Sequence, residues 1–492
     1  MTTPMLPPAT DLLPLLPEVT LIAGAFVLLI LDLFLDKSQR AITHVLALAV
    51  LAAALFMLYT NAGGLGTVFN GMFVRDVMAN VTKLAIVLVS GLSLIYAWPY
   101  LRERDLYPGE VPVLVLFATA GMMMMVSAGS MVMAYLGLEL LALCSYALVA
   151  LNRDDGLSAE AAMKYIVLGS LASGLLLYGM SLVYGATGTL HLPGIHEAAA
   201  QALAGQGGDN RLLLLTGVVF LVAGVAFKLG AAPFHMWLPD VYQGAPTPIT
   251  LFISSGPKLA AFAMAFRLLE NGVGPAAAQW HWLIAGLATA SLIIGNVIAI
   301  AQTNLKRMLA YSTVSHVGFL LVGFAGGGAQ GYSAALFYAI SYALMSAAAF
   351  GAIILLSRQG FEADRIDDFK GLNARNPWQA LLVLFVMASL AGIPPFLGFW
   401  AKLAVLGAAV HGGLIWLTVV AVVCAVIGAF YYLRVIKVMY FDEPVGAVPV
   451  PRKDRFMPIV FGINAVALLV LGFAWNPLMA WCQQAFAATV TG

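Results

Sequence analysis

Apolar runs about twenty residues long alternate with short polar connections along almost the whole chain, as in LLLLTGVVFLVAGVA (212–226). A hydrocarbon core about 30 Å thick needs about 20 apolar residues per helix. On that rule the chain predicts fourteen spans, near 14–35, 42–60, 77–98, 110–127, 130–151, 159–186, 211–238, 248–270, 278–301, 305–326, 330–357, 377–409, 412–440 and 457–481. The fold class expected is an all-α integral membrane protein.

Loop charges test the count. Connections after odd-numbered spans carry Lys37, Arg40, Arg102, Arg104, Arg153, Lys306, Arg307, Arg358, Arg365, Lys370, Arg375, Lys437, Arg452, Lys453 and Arg455, and those after even-numbered spans carry Arg75 and Arg211. Fifteen against two is a strong positive-inside bias, which a missed or invented span would scramble. Both termini are then expected on the outer side.

Two of the spans are written to break. GAAPFHMW (230–237) in the seventh and GIPPFLGFW (392–400) in the twelfth share a glycine three residues before a proline, a phenylalanine after it and a tryptophan soon after. Gly230 and Pro233, and Gly392 with Pro394 and Pro395, are therefore the expected break points, since proline removes a backbone donor and glycine eases departure from helical geometry. A third break is expected at Pro257, in SSGPK (254–258). The two matching breaks lie five spans apart, an odd number, so they imply inverted repeats covering spans 4–8 and 9–13. Such breaks are the sequence pointer to a transporter's binding region. The expected divisions are 1–109 (three helices), 110–275 and 276–440 (the repeats) and 441–492 (a C-terminal helix).

Composition agrees with the pattern: 62% of the 492 residues are hydrophobic and 10% charged, with a mean hydropathy of +0.94. A net charge of +1 gives no sign of a nucleic-acid partner. Cys144, Cys424 and Cys482 are widely spaced in apolar segments and read as buried free thiols. No P-loop, haem or iron–sulfur spacing is present. The N-terminal stretch lacks the basic region and cleavage site of a signal peptide, so the first span is expected to be retained.

Charges inside the spans are the candidate chemistry. The deep basic residues are Lys83, Lys164, Lys228, Lys258 and Lys402, while Arg267 and Arg434 lie nearer helix ends. Arginine keeps its proton under burial and lysine can give it up. Lys83 and Lys164 are near enough to span ends to snorkel. Glu139, in MAYLGLELLALCSY, is the one deep acid and needs a partner, for which Lys228 is the candidate. His235 and His316 read either as relays or as satisfied core histidines, and His191 and His196 as solvated loop residues.

KLGAAPFHMWLPDVYQGAPTP, LKRMLAYSTVSHVGFLLVG and LAGIPPFLGFWAKL together resemble the antiporter-like membrane subunits of respiratory complex I, which are related to Mrp-type cation/proton antiporters. LLPEVTLIAGAFVLLILDLF and DDFKGLNARNPWQALL, with lysine at position 402, are similar to one subunit type within that family. The resemblance implies proton translocation in a bacterial inner membrane, among neighbouring antiporter-like and small membrane subunits. It implies roles for Glu139, Lys228, Lys258 and Lys402, with Lys164, His235 and His316 on or near the polar axis. It implies no cofactor on this chain, with NADH, FMN, iron–sulfur clusters and quinone used by other subunits. A stand-alone cation/proton antiporter and a non-pumping scaffold remain the alternatives.

Overall fold

The computed structural model describes residues 13–36, 39–60, 65–106, 109–205, 210–444 and 456–487. Lys37, Arg452, Lys453, Arg455 and both chain termini lie outside the described residues. The described chain is mostly helix, in the order α1 (Leu16–Asp32), α2 (Ala41–Thr60), the hairpin β1 (Gly66–Val68) and β2 (Phe73–Arg75), α3 (Val77–Glu103), α4 (Glu110–Val126), α5 (Met131–Val149), α6 (Gly156–Thr187) and α7 (Leu192–Leu203). Then follow α8 (Asn210–Leu229), α9 (Trp237–Gly244), α10 (Thr247–Ala265), α11 (Ala277–Ala301), α12 (Leu305–Gly326) and α13 (Gly328–Leu356). The last are α14 (Pro377–Ala391), α15 (Leu397–His411), α16 (Ile415–Phe441), α17 (Phe456–Phe473) and α18 (Trp475–Phe486). Among the described residues twelve helices are long and apolar enough to cross a membrane.

Local signals start and stop these helices as capping chemistry requires. Asp76, Ser130, Asp155 and Asn304 accept the N–H three residues on at the starts of α3, α5, α6 and α12. Gly188, at φ +71°, closes α6 in the left-handed conformation.

All 19 residues of α10 are buried, and α12 and α13 are buried almost throughout. These three form the centre, with α1, α2, α16 and α17 turning large apolar side chains outward. With no hydrophobic drive between helices in lipid, close approach depends on small residues. A Cβ on Gly137 would lie 2.7 Å from Gly121 O, and one on Gly121 2.8 Å from Gly137 O. Gly295 and Gly318 do the same for α11 and α12, where the added atoms would come to 2.6 Å from Ser315 N and 2.9 Å from Leu292 N.

Three expectations need correction. Pro257 does not break its helix, since α10 runs through it without interruption. The hydroxyls of Ser254 and Ser255 donate to Leu251 and Phe252 carbonyls there, not to the Ile253 carbonyl that Pro257 leaves without its helical donor. The stretch after α6 is not loop alone but holds α7, which buries Leu192, Ile195, Ala199 and Ala202 while His191 and His196 stay exposed. The last predicted span divides into α17 and α18 at Ala474.

The glycine contact between α4 and α5 gives a direct expectation. Gly137→Leu forces overpacking worth about 1–3 kcal/mol and lowers the thermal unfolding midpoint in detergent, whereas leucine at Gly91, with open space around it, leaves it nearly unchanged.

Candidate functional site

α8 stops at Leu229 and the chain resumes as helix at Trp237; α14 stops at Ala391 and resumes at Leu397. Both stops close in the same way. Gly230 (φ +80°) and Gly392 (φ +85°) take the left-handed position after the last turn. The N–H of Ala231 then bonds Ala226 O at 2.8 Å, and that of Ile393 bonds Ala388 O at 3.0 Å. Gly230 N–H reaches Phe227 O and Gly392 N–H reaches Ser389 O, each at 3.0 Å, completing a Schellman closure in both. The Ala232–Pro233 and Pro394–Pro395 peptide bonds are both cis.

Every backbone group freed inside hydrocarbon must find a partner. Ala232 N–H donates to Ser291 Oγ (2.8 Å), Trp237 Nε1 to Phe227 O (3.1 Å) and Gly398 N–H to Ser389 Oγ (3.2 Å). The terminal carbonyls take lysines. Lys258 Nζ donates to Leu229 O at 2.8 Å, and Lys402 Nζ to Ala391 O at 2.8 Å and Leu390 O at 3.1 Å. An ammonium at a helix C-terminus also meets the negative end of the macrodipole. Aromatic faces complete the cradles, with Trp237 5.1 Å from Lys258 Nζ and Phe319 5.1 Å from Lys402 Nζ.

Lys228, one residue before the first stop, is half-buried and lines a cavity of about 20 Å³ with Tyr146, Tyr165, Ser173 and Trp237. That volume accommodates about one water. The expected Glu139–Lys228 ion pair is not formed within 4.0 Å. Lys228 does lie within the field of Glu139, whose Oε1 is buried without a hydrogen bond. The two carboxylate-to-amine positions are thus neighbouring but separated.

Lys164 is not in the interior: it is 42% exposed and pairs with Glu160 (2.7 Å) and Asp240 (2.8 Å). Asp240 on α9 is also held by Arg307 (2.7 Å), and the four residues edge a cavity of about 220 Å³. His235 sits half-buried in the first interruption, with Nδ1 lacking a partner and its ring 6.2 Å from that of Tyr311. His316 is fully bonded: Nδ1 to Tyr338 Oη at 2.6 Å and Nε2 to Tyr432 Oη at 3.0 Å, with Lys402 close enough for its charge to act on the ring.

Sequence reasoning missed the hydroxyls that join these sites. Ser346 Oγ donates to Ser254 Oγ (2.7 Å), on the same helix as Lys258, and Tyr342 Oη donates to Thr313 Oγ1 (2.7 Å). The rings of Tyr342 and His316 are 4.9 Å apart, and Ser312 bonds Tyr432. The available signal was Tyr338, Tyr342 and Ser346 at four-residue spacing, one face of an otherwise alanine-rich helix. Lys306 was also missed; it is buried and donates to Ala245 O (2.6 Å), capping α9.

Residues 128–428, more than half of the chain, match the family described as NADH:quinone oxidoreductase/Mrp antiporter, TM. The chain belongs to that family of membrane proteins. It is 70% identical over 489 residues to NADH-quinone oxidoreductase subunit N of Xanthomonas euvesicatoria pv. vesicatoria, covering 99% of each chain. It is 51% identical over 483 residues to subunit N of Laribacter hongkongensis, covering 96% of this chain and 97% of the other. Among solved structures it is similar to a chain of respiratory complex I from Thermus thermophilus with bound Aureothin, at 30% identity and a TM-score of 0.80, covering 94% of this chain and 99% of that one. A chain of the Mrp complex from Dietzia sp. DQ12-45-1b shares the fold at 22% identity and a TM-score of 0.84, covering 97% of each.

Gly392 tests the cradle. A Cβ there would lie 3.1 Å from Lys402 Nζ and 2.8 Å from its Cδ, while one on Gly413 (φ +75°) meets nothing within 4 Å. Alanine at either position costs about 1–2 kcal/mol of backbone strain. Gly392→Ala is expected to lower the unfolding midpoint further than Gly413→Ala and to reduce proton pumping, which Gly413→Ala leaves intact.

Proposed function

We infer that in this chain, a proton-translocating membrane subunit of a bacterial NADH-quinone oxidoreductase, the lysines at the two helix interruptions carry the protons. The observation that carries the reading is the pairing of Lys258 with Leu229 O and of Lys402 with Ala391 O. An ammonium and a neutral amine both keep N–H donors. Either protonation state can therefore hold the open helix end, and the proton can leave without stranding the carbonyl in oil.

The route runs from the cavity edged by Glu160, Lys164, Asp240 and Arg307, past Tyr165 and Trp237 to Lys228, then to Lys258. From there the hydroxyls of Ser254, Ser346, Tyr342 and Thr313 lead to His316 and Lys402. Glu139, beside Lys228, is the receiver of an electrostatic signal from a neighbouring subunit, and His235 supplies a polar group at the first interruption. Moving one charge against about 100 mV costs about 2.3 kcal/mol, a scale that rearrangement of a buried charge pair reaches.

This reading includes fourteen crossings: α4 added to the twelve long helices, and α14 with α15 taken as one broken span. The polypeptide then has both termini on the outer side, with inverted repeats at 110–275 and 276–440, three crossings at 1–109 and one crossing, α17, at 441–492. Support comes from the twin Schellman closures and from the matching glycine contacts of α4 with α5 and α11 with α12. The partners are the adjacent antiporter-like and small membrane subunits, and NADH, FMN, iron–sulfur clusters and quinone act on others. Among the described residues no group of His, Cys, Asp or Glu could hold a metal ion.

Lys258→Arg keeps the charge and the bond to Leu229 O but cannot release its proton. In the whole complex in proteoliposomes, protons moved per NADH oxidised should fall as far for Lys258→Arg as for Lys258→Met. Normal pumping by an assembled Lys258→Arg complex would overturn the carrier role.

A further inference from the structure

A second set of buried charges lies away from the interruptions, where α1, α3 and the turn after α10 meet beside the β1–β2 hairpin. Lys83 and Glu18 form an ion pair, and their side chains are 5% and 4% exposed. Arg267, on the π-helical turn Phe266–Gly272 that continues α10, pairs with Asp76. Lys83 lies near enough to a span end to snorkel, but its charge is met inside the protein by Glu18.

The two pairs differ in how completely they are bonded. Asp76 accepts from Arg267 Nη1 (2.7 Å), Arg267 Nη2 (2.8 Å) and Ala79 N (2.8 Å), and Arg267 Nε donates to Val126 O (3.0 Å). This pair is saturated, and its arginine cannot lose a proton. It is a fixed clamp between α3 and α10. Among the described residues Glu18 and Lys83 have few direct contacts beyond each other. Neither Glu18 oxygen gains a well-directed hydrogen bond there, and the Lys83 ammonium lies 4.6 Å from the Phe73 ring, with Asp76 and Arg267 near enough for their charges to act on it. An ionised pair so poorly bonded is costly to hold in a low-dielectric setting. Transfer of one proton between its members removes both charges.

The pair also has a way out. Lys83 lines a cleft with Arg75, Asn80, Leu13 and Pro14, of which Leu13 is exposed and the other three are half-buried. Arg75, Asp76 and Arg267 are the other charged groups near the pair, contributed by β2, the start of α3 and the turn after α10. Inward of it, α3 and α4 share a buried hydroxyl contact, Thr119 Oγ1 to Ser90 Oγ at 3.0 Å, and α3 packs along α10, the helix that carries Lys258.

We propose that Glu18 and Lys83 form a proton-exchange site between the bundle interior and water at the hairpin end, apart from the route through the two interruptions. An N–H bond of the Lys83 ammonium breaks and an O–H bond forms on Glu18, leaving amine and carboxylic acid. The acid then gives its proton to water in the cleft and returns to carboxylate. The amine takes the next proton from the interior. The proposal rests on the reading that this chain conducts protons, and it adds a site in the three N-terminal helices that the repeats do not contain.

The test uses the whole complex in proteoliposomes, with pumping expressed per NADH oxidised and assembly checked on native gels. Lys83→Arg preserves the ion pair but not proton release, and pumping should fall several-fold; wild-type pumping would overturn the proposal. The double variant Glu18→Gln with Lys83→Met removes both charges together. A merely structural pair would let it recover relative to the single variants, whereas an exchange site leaves it as low as they are. Independently of any pumping variant, wild-type protein should show an infrared carboxylic-acid difference signal on changing pH that Glu18→Gln removes, and its absence would also defeat the proposal. Lys258→Met run alongside separates the two ideas, because normal pumping there would sink the main route, not this site.

Discussion

A helix that ends inside hydrocarbon exposes carbonyls to a medium that cannot solvate them, at several kcal/mol each. The architecture of this chain is organised around meeting that demand at two places. Gly230 and Gly392 turn the chain so that the last N–H groups fold back on their own helix, yet Leu229 O and Ala391 O still point away. A lysine answers each. Because each ammonium needs those carbonyls as much as they need it, neither the interruption nor the buried charge is stable without the other.

That mutual dependence explains why α10, α12 and α13 are buried so thoroughly. Lys258 comes from α10 and reaches across to the end of α8, so the two helices must be held at a fixed separation from a lipid-free side. Lys402 lies on α15 and bonds the end of α14, with α12 supplying Phe319 and His316 beside it. The hydroxyls on α10, α12 and α13 bond one another between these two points instead of back-bonding alone. A polar seam of this kind is stable only when all its members are satisfied, which is what a fully covered three-helix core permits.

The apolar helices, the two interruptions and the burial of Lys258 and Lys402 were legible because each leaves a mark on one stretch of sequence: twenty apolar residues, Gly and Pro at fixed spacing, a charge in oil. Lys164 carries the same mark and is 42% exposed. What escaped was relational. Nothing in KLGAAP says that Leu229 O is answered from α10, by Lys258 rather than by Lys228. Pro257 carries the same local mark as the true stops, but no glycine there turns to positive φ and the helix runs on through it. Glu18 sits in a stretch quoted for its resemblance, while its meaning depends on Lys83, which is 65 positions away and on another helix. Tyr342 and Ser346 share a face of α13, but their role depends on partners on α12 and α10.

The division of labour between the two cations follows from the same physics. Arginine appears where two or more fixed acceptors converge. Arg434 bonds Ile300 O and Gln302 O at the end of α11, Arg104 bonds Arg358 O and Glu362, and Arg267 bonds Asp76 and Val126 O. Its rigid five-donor fork suits such sites and its charge is permanent. Lysine holds three other helix ends, Lys258 at α8, Lys306 at α9 and Lys402 at α14, as Arg434 holds that of α11. A single flexible amine keeps N–H donors for such an end in either protonation state, whereas the guanidinium keeps its charge. Arginine there would hold the backbone equally well and would make the site electrically inert.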